Sequence, residues 1–499
     1  MAPLKLDILI VGAGMAGLAS ACALASDGHR VRLLEAAPEL SNMGGAIRLP
    51  PNAVKVLMDW GLHGKLQGQS SIILTTTFCD LRTGEVIKHT EWQSDVFKDS
   101  GGEFHMIGHR DLCQMLYAHA LFVGVNISFN SKVVAIIPPS ESTPTSSLVT
   151  PRNVRPNAGP SVRLSTGETL HADLIIGADG SNSILRPIVD RRTSQIYTGT
   201  TMYTGIVDAE SVENNPRMKD IVELGYRIWM GERCYAMAPR VQNTKEYAFH
   251  LAQIEDLPEN EHGASSGWRV VPSTNVRRDG LNTQLQFFLD SAPTLTRARC
   301  FEHPSVEDWV DPSRGFVLIG QAAHPMLPCA MHQSSDCLES ASVLSTLLSH
   351  LRKPSQLSSL LYAYEDLRAS RAPQLSSFEL LNRSWLSLPG ALGVARNEDM
   401  RAAAVKSYSA RPWAENANGD GDNDGDDGGQ DLAKHWAEIA WLWGYDAGED
   451  AEDWWIKWGV LRERATLEEN PDGNGGTCRL HGYRAERGHG FLSIPVSRV

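Results

Sequence analysis

The stretch DILIVGAGMAG, residues 7–17, decides the fold of this chain. Its first half is apolar and is typical of a buried strand, and its second half has the glycine spacing G-x-G-x-x-G. Small apolar residues continue to Ala25 and predict a helix directly after the glycines. Gly12 allows a tight turn, Gly14 lets a pyrophosphate approach the backbone, and Gly17 lets the helix pack against the strand. The stretch therefore predicts a dinucleotide-binding loop at a helix N-terminus.

A second apolar run, residues 31–34, ends in Glu35. Together with the first run and the helix, it completes a strand–loop–helix–strand unit. A carboxylate at this point accepts hydrogen bonds from ribose hydroxyls and repels the 2′-phosphate of NADP. Glu35 therefore favours FAD or NAD as the nucleotide held by the loop.

Composition limits the class of protein. The 499 residues can form two or three domains, and 42% hydrophobic with 21% charged residues is ordinary for a globular chain. A formal charge of −13 argues against a nucleic-acid surface. Eight cysteines contain no C-x-x-C pair, so their spacing indicates neither a zinc site nor a disulfide framework. With neither a secretory signal nor an apolar run long enough to span a bilayer, we expect a cytoplasmic protein with no membrane span.

Two arginines are candidate contacts for a bound cofactor. Residues 44–53 contain a glycine pair and a proline pair, which predict an irregular loop around Arg48 before a helix. Such a loop can cover a bound cofactor, although a plain structural turn is an equal alternative. Arg110 opens another helix, where it can reach a phosphate; a surface arginine is the commoner case.

The middle of the chain is rich in predicted strands. Residues 72–92 predict a hairpin with strands at 72–78 and 85–89. Residues 138–160 are rich in Pro, Ser, Thr and Asn and predict an exposed insertion. Residues 195–300 alternate aromatic, apolar and polar positions in several short runs, with one helix near 284–289. We interpret them as a separate β-rich layer that covers a substrate.

Two later motifs each follow a buried strand. In ADLIIGADGSNS, residues 172–183, a strand ends at Asp179-Gly180, where open α/β sheets bind ligands. Asp179 alone is more typical of a turn former than of a ligand. In GFVLIGQAAHPMLP, residues 315–328, a strand leads through Gln321 and Ala322 to two prolines, and a helical pattern follows.

An acidic segment at residues 414–431 is the remaining ligand candidate. Asp420, Asp422 and Asp424-Gly425 match the first half of a calcium loop. Asp431 stands at the twelfth position instead of the bidentate Glu, and no strongly periodic helix precedes the loop. We therefore interpret the segment as a solvated linker and predict no metal site from the sequence.

These motifs, in this order, resemble the single-component FAD-dependent aromatic hydroxylases, in particular the salicylate-hydroxylase-like branch found in fungal secondary metabolism. The resemblance spans roughly residues 5–385, with a further patch near 436–458. It implies an α/β fold in which a Rossmann-like FAD/NAD(P)-binding domain carries a β-sheet substrate layer and a C-terminal helical segment.

The resemblance also implies roles for single residues. Gly12, Gly14 and Gly17 would hold the FAD pyrophosphate, and Glu35 the adenosine ribose. Arg110 would contact the ribityl–phosphate portion, and Asp179-Gly180 would serve both FAD and NAD(P)H. Further cofactor-binding positions of the family correspond to Arg48, Gln321, Ala322, Pro328 and Gln333.

The chain departs from the family at the flavin-ring end. The family has Gly-Asp where this chain has Gly320-Gln321, so the aspartate that binds the ribityl chain is replaced by a neutral amide. The family's Gln-Gly-Ala at a helix N-terminus corresponds to His332-Gln333-Ser334 here. Gln333 adds a side chain where a glycine permits close approach of backbone to ring.

Two functions are consistent with these residues. The first is an FAD-dependent, NAD(P)H-consuming monooxygenase that uses O₂ to hydroxylate or epoxidise an aromatic or polyketide-like small molecule. The alternative is the same fold with an altered or lost flavin site, acting as a non-oxidative isomerase or cyclase or as a binding protein. In that case His332 would be the general acid or base, since histidine titrates near neutral pH.

The predicted domain organisation is discontinuous. Residues 1–190 and 300–385 would form the FAD-binding domain, with 72–104 joining the substrate layer of residues 191–299. Residues 386–499 would form the C-terminal helical segment, including the linker at 414–431.

Overall fold

The structure is a computed structural model of the chain. It describes residues 3–41, 45–92, 100–137, 159–190, 195–241, 245–255, 267–303, 306–409, 441–459 and 461. Two compact units are present, Met1–Asp453 and Trp454–Val499. In the second unit, the described residues include a π-helical turn at Trp455–Gly459.

A mostly parallel sheet forms the base of the first unit. Its six strands among the described residues, in spatial order, are β20 (Val310–Asp311), β21 (Phe316–Leu318), β12 (Leu174–Gly177), β1 (Asp7–Val11), β2 (Arg30–Leu34) and β8 (Asn126–Ser128). Strand β1 pairs in parallel with β12 and β2, and β12 pairs in parallel with β21. Three segments far apart in the chain therefore end at the same edge of the sheet: the glycine loop after β1, Asp179 after β12 and Gln321 after β21.

The central strands are apolar throughout because both faces of the sheet are covered. Ile8, Leu9 and Ile10 have almost no exposed surface, and neither do Leu174, Ile175 and Ile176 of β12. Continuous apolar runs of this kind are typical of buried parallel strands. The expected α/β class, with a Rossmann-like nucleotide-binding sheet, is confirmed.

The first unit also contains a second, mainly antiparallel sheet. Its nine strands in the described part of the chain follow the order β18, β19, β13, β17, β15, β14, β5, β6, with β16 beside β17. Their bounds are β5 Thr75–Asp80, β6 Val86–Glu91, β13 Ile196–Asp208, β14 Tyr226–Gly231, β15 Cys234–Ala238, β16 Arg240–Val241, β17 Glu246–Ile254, β18 Arg269–Pro272 and β19 Thr294–Glu302. The expected β-sheet layer is thus present.

Two small sheets complete the strands that are described. One contains β9 (Val133–Ile137), β10 (Ser161–Leu164) and β11 (Thr169–His171). The other contains β3 (Ala46–Leu49), β4 (Ser70–Ile72) and β7 (His105–Gly108).

Helices cover the parallel sheet and one face of the antiparallel sheet. Those that are described are α1 Met15–Ser26, α2 Pro51–Asp59, α3 His63–Gln69, α4 His109–Phe122, α5 Ala209–Glu213, α6 Lys219–Leu224, α7 Thr283–Ser291, α8 Gln333–Ser349, α9 Leu357–Leu386, α10 Gly390–Ser409 and α11 Ala447–Trp454. None of them is both long and apolar enough to cross a bilayer.

Helix α7 shows how local sequence and packing cooperate. The side chain of Asn282 accepts hydrogen bonds from the backbone N–H groups of Gln284 and Leu285, which caps the helix start. Phe288 and Leu289 are fully buried and pack with Phe249 of β17. The helix predicted near 284–289 is therefore present, and it anchors one face of the antiparallel sheet.

The predicted hairpin at residues 72–92 is displaced along the chain. Its strands are β5 and β6, whereas Ile72 ends β4 and pairs with His105 of β7. Alternation alone indicates a strand but does not identify its partner, and here pairing with β7 holds the first part of the run.

Some expectations fall outside the described residues. These are most of the insertion at 138–160 and the whole acidic segment at 414–431, including its calcium motif. The domain boundaries near 190, 300 and 385 remain a prediction.

Candidate active site

The glycine loop joins β1 to α1. It is tightly packed around Gly12 and open beside Gly14. Gly12 has a φ of +107°, and a Cβ atom there would lie 2.5 Å from the carbonyl oxygen of Ala178. Gly14, the N-cap of α1, has no heavy atom within 4 Å of its Cβ position among the described residues. The loop therefore leaves space beside Gly14, where the first N–H groups of α1 are available to an anion.

Glu35 is braced against this loop. One carboxylate oxygen accepts a hydrogen bond from the backbone N–H of Ala13 at 2.7 Å, and the other accepts from Ala37 at 2.8 Å. A carboxylate oxygen has a second lone pair, so Glu35 can still accept from a ribose hydroxyl. The contact with Ala13 places that carboxylate beside the loop; its role toward the ribose remains a prediction.

The Asp179-Gly180 turn lies at the same sheet edge. One oxygen of Asp179 accepts from the N–H groups of Ile184 at 2.8 Å and Leu185 at 3.3 Å, so the residue does shape the turn. Its other oxygen is buried and has no partner among the described residues. Burial raises the pKa of Asp179, while the hydrogen bond from Ser183 and those from the backbone oppose that rise. One acceptor thus remains available to a ligand.

Arg186 connects this turn to the motif after β21. Its guanidinium donates to the carbonyl oxygens of Ala322 at 2.7 Å and Gln321 at 3.0 Å. It also donates to the carbonyl oxygen of Ser181 at 3.0 Å. The arginine thereby fixes two predicted cofactor-binding segments relative to each other.

Gln321 presents an amide N–H₂ group where the family has a carboxylate. Its Oε1 accepts from the backbone N–H of Met326 at 2.9 Å. Its Nε2 is buried and has no partner within the described residues. The free group is therefore a donor, which can bond to a hydroxyl oxygen of a ribityl chain.

A partly open cavity lies between the glycine loop and the antiparallel sheet. Met15 and Gln333 border it on the side of the parallel sheet, and Thr204, Met237 and His250 border it on the other. Since Met15 follows Gly14 directly, a dinucleotide on the glycine loop has access to the cavity.

A smaller cavity of about 400 Å³ adjoins the first and shares Arg48, Met237, His250 and Cys329 with it. Pro328 lines this second cavity. The guanidinium of Arg48 donates to the carbonyl oxygen of Cys329 at 2.7 Å, so the arginine connects β3 to the loop before α8. Arg48 therefore lies where the two cavities meet, between β3 and the loop before α8.

Three buried polar atoms around the larger cavity have no partner in the described part of the chain: His250 Nδ1, Thr204 Oγ1 and His109 Nδ1. His250 accepts a 3.4 Å hydrogen bond at Nε2 from the backbone N–H of Ala46, so a neutral ring carries its hydrogen on Nδ1. Burial and then the charge of Arg48 lower the pKa of His250 to about 3, which keeps the ring neutral. Its Nδ1–H is therefore a donor that a ligand can use.

The two other predicted residues lie elsewhere. Arg110 is in the first turn of α4, 43% exposed, with its Nε 3.6 Å from Asp111. His332 is completely buried and is the N-cap of α8; it does not line either described cavity. Its backbone N–H donates to Glu379 at 2.9 Å, and its Nδ1 lies 2.6 Å from the same oxygen. In this position His332 fixes the start of α8, and a catalytic role remains a prediction.

Glu379 is buried together with His332. Burial alone would raise the pKa of Glu379, but the hydrogen bond from the His332 ring and the charges of His332 and Arg48 hold it below its usual value. The carboxylate is thus ionised and can hold the helix start in place.

A buried network of ion pairs joins α8 to α9. The sequence motifs did not predict it. Arg368 of α9 contacts Glu339 at 2.7 Å and Asp336 at 3.0 Å, and Asn52 donates to Glu339 at 2.7 Å. The Nε of Arg368 also donates to the Ser340 hydroxyl at 3.1 Å. Asp336 and Glu339, three residues apart on one helix face, neutralise the arginine together.

These features fit FAD. Open space lies beside Gly14, Asp179 and Gln321 each offer a buried polar atom without a partner, and the cavity begins at Met15. A nucleotide-binding α/β domain that opens into a cavity under a β-sheet defines the class of FAD-dependent hydroxylases.

Comparison with known proteins gives the same result. The chain belongs to the family described as FAD binding domain, which matches residues 5–379. A relative from Beauveria bassiana (strain ARSEF 2860), FAD-dependent monooxygenase OpS4, is 26% identical over 89% of this chain and 95% of its own length. Asperlicin C monooxygenase of Petromyces alliaceus is 27% identical over 77% of this chain and 81% of its own.

Among solved structures, a salicylate hydroxylase substrate complex aligns with a TM-score of 0.65 at 19% identity, covering 90% of this chain and 97% of that one. The likeness shows the shared fold. The predicted family, the FAD cofactor and the enzyme class, an FAD-dependent oxidoreductase of the monooxygenase type, are confirmed.

Proposed function

We propose that the protein is a monooxygenase of secondary metabolism that uses FAD, NAD(P)H and O₂ to add one oxygen atom to an aromatic or polyketide-like small molecule. One observation carries the substrate class: the cavity has apolar walls and a few buried polar atoms without partners. The relatives with monooxygenase names support the reaction type.

Different residues of this chain would bind the two ends of FAD. Gly12, Gly14 and Gly17 would admit the pyrophosphate to the N-terminus of α1, with Glu35 at the ribose. Gln321 Nε2 would donate to the ribityl chain. When bound, the flavin supplies electron transfer from NAD(P)H and activation of O₂.

The antiparallel sheet would hold the substrate. Met106, Tyr226, Met237 and Trp268 line the cavity and can pack against a planar apolar molecule. His250 Nδ1–H and the hydroxyl of Thr204 would bind polar substituents, which fixes the orientation of the ring toward the flavin. Because these atoms are buried, a substrate without a matching acceptor would leave them unpaired, which costs about 1–3 kcal/mol for each group.

The non-oxidative alternative has less support. As an isomerase or cyclase, the protein would use His332 as the general acid or base, and His332 does not line either described cavity. Gln333 does line the larger one, so its side chain still affects how the ring end of FAD is seated.

The test combines flavin content with oxygen transfer. We expect purified protein to be yellow, to oxidise NADH or NADPH faster when a phenolic or polyketide-like acceptor is added, and to place one atom of ¹⁸O₂ in the product. His250→Phe and Thr204→Val should raise KM for that acceptor and leave FAD content unchanged. Colourless protein that converts a substrate without O₂ would establish the alternative instead.

A further inference from the structure

Three potential metal ligands converge outside the active site. Glu103 Oε2 lies 2.9 Å from His105 Nε2 and 3.5 Å from His63 Nε2. The ligand atoms of all three side chains lie within 4.8 Å of one another. The ring of His105 is completely buried, whereas the side chains of His63 and Glu103 are 34% and 39% exposed.

The cluster is separate from the cavity. His105 begins β7, and its neighbour Met106 lines the cavity. Successive side chains of a strand point to opposite faces, so His105 lies on the face away from the cavity. His63 begins α3, and the cluster therefore joins this helix to the strand behind the active site.

The hydrogen bonds around Ser70 determine which nitrogen of His105 carries a hydrogen. The Ser70 hydroxyl donates its only hydrogen to the carbonyl oxygen of Leu66, at 2.6 Å. The 2.7 Å contact between Ser70 Oγ and His105 Nδ1 must then be an N–H donation from the ring. In the neutral ring, Nε2 has no hydrogen and turns a bare lone pair toward the Glu103 carboxylate.

A lone pair and a carboxylate oxygen 2.9 Å apart repel each other unless a proton or a metal ion lies between them. We propose that His63 Nε2, Glu103 Oε2 and His105 Nε2 bind a divalent transition-metal ion of the zinc type, with water in the fourth position. Two imidazoles and one carboxylate are a known zinc ligand set. The exposed sides of His63 and Glu103 give the ion a path from solvent.

The distances agree with this assignment. Bonds of about 2.0–2.1 Å in tetrahedral geometry place ligand atoms about 3.3–3.4 Å apart. The separations of 2.9 and 3.5 Å lie on either side of that value. Ser70 would orient the ligating His105 by accepting a hydrogen bond from its other ring nitrogen, Nδ1. The ion would hold the start of α3 against β7 and has no part in the oxygen-transfer step.

The test is calorimetric titration of ZnCl₂ into FAD-loaded protein that has been treated with a chelator. We expect one zinc per chain. His63→Ala and Glu103→Gln should each weaken binding by at least about tenfold, and Ser70→Ala by about tenfold through loss of ring orientation. His171→Ala removes an exposed histidine outside the cluster and should change nothing. His105 is left intact because it is buried.

Cobalt(II) provides a second measurement. The wild type should develop the visible absorption of a tetrahedral site, and Glu103→Gln should lose it. A wild type without a saturable zinc isotherm would show that His105 and Glu103 form a plain ion pair. Full affinity in both His63→Ala and Glu103→Gln would place zinc on other residues. Either result overturns the proposal.

Discussion

The carbonyl oxygen of Gly12 lies 1.9 Å from the position that a Cβ atom on Gly17 would occupy. No side chain can be added there without moving either the loop or the helix. Gly14, three residues earlier, has open space at the same position. The two glycines therefore have different surroundings, and we expect Gly17 to be required for folding and Gly14 for binding the ligand.

Gly14→Val should fold and lose FAD, because the new side chain occupies the space beside the loop. Gly17→Ala should destabilise the protein even before FAD is added. Thermal unfolding of the FAD-free proteins, together with the flavin absorbance retained after gel filtration, separates the two effects. Retention of FAD by Gly14→Val would refute the assignment of this loop as the pyrophosphate site.

Gln321→Asp should tighten FAD binding by about tenfold, since a hydrogen bond to a charged acceptor contributes about 1.5–3 kcal/mol against about 1 for a neutral one. Adding Gln333→Gly should tighten it further by removing a side chain from the cavity wall. Quenching of FAD fluorescence gives the affinities.

Gln321→Asn is the matched control, because it has the length of Asp without the charge and should not tighten binding. If the double variant binds FAD no better than the wild type, the substitutions at these two positions do not weaken the ring end of the site.

Arg368→Met should lower the free energy of unfolding by about 3–5 kcal/mol, because it removes the arginine that pairs with Asp336 and leaves Glu339 paired with Arg371 alone. Denaturant unfolding of FAD-saturated protein measures this loss. Arg352→Met serves as a control, since the guanidinium of Arg352 donates to the backbone carbonyl oxygens of Ser349 and Leu351 after α8. Equal losses of unfolding free energy in the two variants would mean that the ion network contributes no more to stability than Arg352 does.

Stability should also fall as the pH is lowered from about 6.5 toward about 3 because of His250. Its pKa is lowered to about 3 in the folded protein, from an ordinary value of 6.5. In that window the unfolded chain binds the extra proton and the folded protein does not, which costs up to about 1.4 kcal/mol per pH unit. His250→Gln should flatten this part of the pH profile of the unfolding free energy; an unchanged profile would contradict the assignment of a neutral, buried ring.

Local sequence was enough to predict the segments that end at one edge of the parallel sheet. The glycine loop, Glu35 and the Asp179 turn each lie within one strand–turn–helix unit, whose periodicity and glycine spacing are visible in a short window. The sheet then brings the three segments together by a general rule, because parallel strands end at the same edge.

The substrate half could not be predicted in this way. Thr204 and His250 lie opposite each other on β13 and β17, in register across the antiparallel sheet. Nothing in either strand alone shows that these two side chains face a cavity rather than solvent. His63 and Glu103 likewise belong to separate segments, and they meet only because β4 and β7 pair. The signals that were available were isolated histidines in apolar strands, which are most often simply buried.

The order of strands in the parallel sheet also affects how the protein is made. Strand β1 is synthesised first, yet its neighbour β12 comes after residue 170 and β21 after residue 310. Pairings this distant in sequence close slowly, because a long loop must be ordered before any contact forms. A ribosome-bound chain would therefore carry its glycine loop for most of translation without the partner segments that complete the nucleotide site. FAD would then be retained only by chains synthesised past residue 321, since shorter chains would lack part of the surface that binds it.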